Sequence, residues 1–86
     1  MFGLGKKKEL VGLDIGSSSI KAVELKLKTK GDEDFYEVAK IGVEFLPRDA
    51  IVEGTIMDSE AVSETIKMIF DENKIVNKNI VISVSG

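Results

Sequence analysis

The chain contains no cysteine and no histidine. Without cysteine there is no disulfide framework and no thiolate metal site. Without histidine it lacks the usual general base near neutral pH and the commonest zinc ligand. Basic excess is missing too, since the formal net charge is −3. That argues against non-specific nucleic-acid binding, which needs a clustered basic surface. No apolar run approaches the roughly 20 residues of a membrane-spanning helix. The opening Met1-Phe2-Gly3-Leu4-Gly5-Lys6-Lys7-Lys8 puts its basic residues after its apolar ones. That order is the reverse of a secretory signal. Residues 1–8 therefore read as a flexible basic leader, and the expectation is a cytoplasmic protein.

What is present fits one small folded unit. A chain of 86 residues buries only roughly 60% of its unfolded surface. Its 43% hydrophobic and 31% charged residues are ordinary for a folded domain and argue against bulk disorder.

The most informative stretch is Leu10 to Leu25. An apolar run ends in Asp14, Gly16 and three serines, and a second apolar run follows. This reads as a buried strand (Glu9 to Ile15), a tight turn (Gly16 to Ser18) and an antiparallel strand (Ser19 to Lys28). Gly12, inside the first strand, predicts a close approach by another element. Backbone N–H groups in such a turn converge on one point, as phosphate cradles require. The hydroxyls of Ser17, Ser18 and Ser19 add donors, and Lys21 adds a positive charge. Asp14 is a candidate magnesium ligand, acting through the ion's waters. The same residues also fit an ordinary hairpin whose serines satisfy local backbone groups.

In the second strand Val23, Leu25 and Leu27 alternate with Glu24, Lys26 and Lys28, giving one dry and one wet face. Nearer the turn the phase reverses at Ile20 and Ala22. Two-sided burial there is preferred over a bulge around Ala22-Val23. Thr29 to Asp34 reads as a solvated acidic loop. Phe35 to Leu46 is a third strand, long enough to outrun its neighbours and stopped by Pro47. Arg48 to Met57 is a connector turning at Gly54. Asp58 or Ser59 then caps a helix ending at Asn73-Lys74. Val62, Ile66, Ile69 and Phe70 form the apolar stripe that would cover the sheet. Asn79 to Ser85, with Ile80-Val81-Ile82 continuous and β-branched, reads as an internal strand parallel to the first. The fold class is thus α/β with a mixed sheet: an antiparallel three-stranded meander, a helix and a parallel strand. An internal strand so near the last residue predicts a piece of a longer protein, and an open edge there predicts self-association.

This order of elements, opened by Asp-x-Gly-Ser, resembles the first subdomain of the actin-like ATPases, a partial ribonuclease H-like unit over 9–86. Asp14, Gly16, Ser17 and Lys21 match the actin pattern Asp-x-Gly-Ser-Gly-x-x-Lys, and Ser18 stands where actin has its second glycine. Within that superfamily the chain is most similar to the PilM family of type IV pilus assembly. The likeness lies in Val11 to Leu25, the basic leader, Glu53 to Asp58, and Val81 to Gly86. Division proteins of the FtsA type and actin-fold small-molecule kinases are the competing likenesses. The resemblance implies ATP and magnesium as cofactors, with phosphate held by Gly16, Ser17, Ser18, Ser19 and Lys21 and magnesium near Asp14. It implies a scaffold at the cytoplasmic face of the inner membrane that holds the cytoplasmic N-terminal segment of PilN beside other pilus components. The second phosphate loop, the adenosine pocket and most of the PilN groove would lie downstream. No residue here resembles a general base for water, so slow turnover or none is expected.

Overall fold

The structure is a computed structural model and describes residues 9–85. The basic leader read at 1–8 lies outside the described residues. The first strand, β1, runs Glu9–Ile15, followed by β2 at Ser19–Lys30 and β3 at Glu33–Phe45. A small hairpin, β4 (Ile51–Val52) and β5 (Thr55–Ile56), precedes helix α1 (Ser59–Asn73) and strand β6 (Ile80–Val84). The main sheet has the order β3-β2-β1-β6, with β1 antiparallel to β2 and parallel to β6. This is the mixed α/β arrangement that the sequence predicts.

Alternate residues of β1 divide the sheet into two faces. Val11, Leu13 and Ile15 point to the helix and are buried with Ile20 and Ala22 of β2. Val62 and Ile69 of α1 close this core from above, with Ile66 and Phe70 packed at its margin. The helix needs room to come this close, and Gly42 of β3 provides it. A Cβ there would fall 2.8 Å from Ile69 Cγ2 and would also collide with the Asn73 amide.

Both helix ends are closed by local chemistry. Asp58 is the N-cap, its carboxylate accepting from the Ala61 N–H at 3.0 Å, which satisfies one of the free donors of the first turn. At the other end Lys74 takes the left-handed conformation (φ 55°), and Ile75 N–H reaches back to the Phe70 carbonyl at 2.8 Å. That six-to-one bond closes the last turn and delivers Ile75 into the core.

Several expectations are corrected. Glu24, read as part of a wet face, is only 3% exposed. It lies beneath the helix, and Lys40 answers its charge, with Nζ 3.9 Å from Oε1. The same Nζ donates to the Lys74 carbonyl at 2.7 Å, tying the buried carboxylate to the helix end. The phase of β2 does not reverse: Ile20, Ala22 and Glu24 all face the helix, while Val23, Leu25 and Leu27 lie half-buried on the opposite face. The bulge belongs to β3, where the register shifts between Glu24 and Leu25 and Ala39 becomes the extra residue. A bulge turns the alternation over, so Tyr36 and Val38 share a face with Ile41 and Val43.

Gly12 meets no close neighbour, since a Cβ there would find nothing within 4 Å. Strand β6 is not internal among the described residues. It sits at the sheet edge, with Val81 59% and Ile82 57% exposed. The connector contains the β4–β5 hairpin, turned by Glu53 (φ 51°) and Gly54 (φ 76°). Two successive positive φ angles give the turn whose twist suits a two-residue hairpin.

Candidate functional site

The serine-rich turn lies where β1 and β6, which run parallel, both finish. Ligands of open α/β sheets gather outside the carboxyl ends of parallel strands, so this is the place to look for one. Gly16 N–H donates to the Ser19 carbonyl at 2.9 Å and closes the turn. Two further bonds brace it. Leu46 N–H donates to the Ser18 carbonyl at 2.9 Å, and Ser85 N–H to the Ile15 carbonyl at 2.8 Å. The turn is thus held from the end of β3 on one side and the end of β6 on the other.

Of the residues expected to hold phosphate, Ser17 and Ser18 are exposed, and among the described residues their N–H groups and hydroxyls have no partner. Ser19 is half-buried as the first residue of β2. Gly16 spends its N–H within the turn, so it is not a free donor. Its backbone does not need glycine, because its φ is not positive and a Cβ would meet the Ser19 oxygen at an ordinary 3.4 Å.

Asp14 and Lys21 are brought directly opposite one another on β1 and β2, one pair below the closing Ile15–Ile20 pair. Both are exposed on the face away from the helix, and among the described residues neither forms an ion pair. Asp14 is the penultimate residue of β1, as the sequence predicts, but it reaches solvent where an apolar run suggests burial. Its neighbour on the other side is Ser83 of β6. One described donor approaches the carboxylate: Ser85 Oγ lies 3.5 Å from Asp14 Oδ1. Gly12, Asp14, Lys21, Val23, Val81 and Ser83 line a shallow open depression of ≈ 370 Å³ on this face. The sequence reading did not single out Ser83 and Ser85 as site residues. Their only signal was their place at the end of a strand parallel to β1.

The arrangement can take an anion at the turn and a hydrated cation beside it. Ser17 and Ser18 offer N–H and O–H donors, and Lys21 offers charge. Among the described residues no three metal-binding side chains converge. Magnesium keeps several waters and needs only one or two carboxylates beside its phosphates. Asp14, exposed and free of an ion pair with Lys21, fits that requirement.

Fold and site define a class: mixed α/β domains that set a glycine- and serine-rich turn at the carboxyl ends of parallel strands, flanked by an acid and a lysine. Residues 12–86 match the family model described as type IV pilus assembly protein PilM. The chain belongs to that family, and it is a protein of type IV pilus assembly. Among the described residues no helix is long and apolar enough to cross a membrane.

Proposed function

We propose that this chain carries one side of an ATP–magnesium site and works as a nucleotide-dependent scaffold of the pilus machine. The observation that carries the reading is the juxtaposition of Asp14 and Lys21 in register beneath a braced turn with open Ser17 and Ser18 groups. Gly16 supports it. The backbone at that position tolerates a side chain, so the absence of one serves whatever approaches the turn. In this reading Ser17 and Ser18 hold phosphate oxygens through N–H and hydroxyl, and Ser19 adds a hydroxyl from the strand end. Lys21 neutralises phosphate charge, and Asp14 holds magnesium through its waters. Magnesium held beside Asp14 would supply positive charge to offset that of the phosphates. With no base for water among these residues, binding sets a conformation and turnover is slow or absent.

The partner in this proposal is the cytoplasmic N-terminal segment of PilN, at the cytoplasmic face of the inner membrane. Calorimetric titration of the full-length protein with ATP and magnesium tests the site. Asp14→Ala is expected to weaken binding about tenfold or more, the scale on which outer-sphere metal partners act. Unchanged affinity would remove Asp14 from the site. A synthetic PilN N-terminal peptide that fails to bind the same protein would count against the scaffold role.

A further inference from the structure

Asp14 is a poor metal partner unless something holds its carboxylate. It stands on an open face, exposed, and among the described residues Lys21 does not reach it as an ion pair. A freely rotating carboxylate must lose side-chain entropy when it orients toward hydrated magnesium. The structure offers one device against that cost. Ser85 follows β6, and its N–H is fixed to the Ile15 carbonyl at 2.8 Å. This bond continues the parallel ladder past its last pair and holds the Ser85 backbone beside the end of β1. Its hydroxyl then lies 3.5 Å from Asp14 Oδ1, a long contact in this state and one that can tighten when the carboxylate is engaged. The donor reaches Oδ1 and leaves Oδ2 for a metal-bound water. Ser83, in register with Asp14 one pair earlier, keeps the same flank small and polar.

We propose that Ser85 is a positioning residue, orienting the Asp14 carboxylate toward hydrated magnesium from the end of β6. The proposal rests on the reading of Asp14 given above. Its reach goes further: it makes the last residues of β6 part of the cation site and couples that strand end to the turn through Ile15.

The test is the magnesium dependence of ATP binding by the full-length protein, in the parent, Ser85→Ala, Ser85→Thr and Asp14→Ala. Carbon-13 NMR of the Asp14 carboxyl is followed with and without the metal. Ser85→Ala is expected to raise the magnesium concentration at half-saturation about tenfold, as loss of an outer-shell hydrogen-bond partner does, while ATP binding in EDTA stays unchanged. The metal-induced shift of the Asp14 carboxyl should shrink in parallel, and Ser85→Thr, which keeps the hydroxyl, should restore both. If Ser85→Ala matches the parent while Asp14→Ala loses the metal effect, the positioning role is overturned and the Asp14 reading stands. If Asp14→Ala also matches the parent, the underlying reading fails. Loss in both Ser85 variants would likewise overturn the proposal, because it would show that the strand end, and not the hydroxyl, matters.

Discussion

The two faces of one sheet are built to opposite ends. Toward α1, strand β1 presents Val11, Leu13 and Ile15, buried under Val62 and Ile69. Toward the other side the same strand presents Gly12 and Asp14, beside Lys21 and Ser83, in the open. Neighbouring residues on a strand face opposite ways, so seven residues supply both a core and a candidate site. The covered face carries the core, and the open face carries the groups of the candidate site. The two should therefore respond independently to mutation.

The largest contrast pits Ile69, which is fully buried, against Val43, which is 51% exposed. Ile69→Ala removes three carbons from the core and should cost about 3 kcal/mol. Val43→Thr on the open face should stay within about 0.5 kcal/mol. Urea unfolding of the full-length protein checks both, and similar losses would break the comparison.

Next comes Gly42, where space decides. Gly42→Ala places a methyl against Ile69 and Asn73, and such overpacking should cost about 2 kcal/mol. A smaller loss would mean that the end of α1 yields.

The smallest effect involves Glu72 near the end of α1. A hydrogen bond to Glu44, some loss of hydration and the Glu44 charge together hold the Glu72 carboxyl above the usual 4.5. A raised carboxyl binds its proton more tightly in the folded state. Its stabilising contribution is full below the ordinary value and is lost as pH rises through the raised one. Glu72→Gln should abolish that slope and leave the protein slightly more stable than the parent at neutral pH. Thermal melts from pH 4 to 7 check the sign.

Much of the covered face was legible in the sequence. The run Leu10 to Ile15 marked β1, and Val62, Ile66, Ile69 and Phe70 marked the helix side that meets the sheet. What alternation conceals is which face receives the helix. Val23, Leu25 and Leu27 make β2 look dry on the odd side, yet the helix covers Ile20, Ala22 and Glu24. A buried glutamate is tolerable there only because Lys40 arrives from β3, a long-range fact that no local pattern carries. The bulge at Ala39 is one residue in thirteen and leaves the apolar spacing plausible on either side. The β4–β5 hairpin escaped because its strands are two residues long, and Glu at its first positive-φ position is an unusual turn residue. At the site, Asp14, the serines and Lys21 stood out by residue type. Ser85 did not, because its role depends on a strand pairing across 71 positions.

The bulge has one more effect. The outer rim of β3 is broken by the irregular step at Ala39, a feature that discourages strand addition. The rim of β6 is regular and uncharged over Ile80–Val84. An incoming strand meets an interrupted ladder at one margin and a straight one at the other. The sheet therefore has a polarity of growth: an added strand would extend it beyond β6, alongside the strand whose end braces the serine turn.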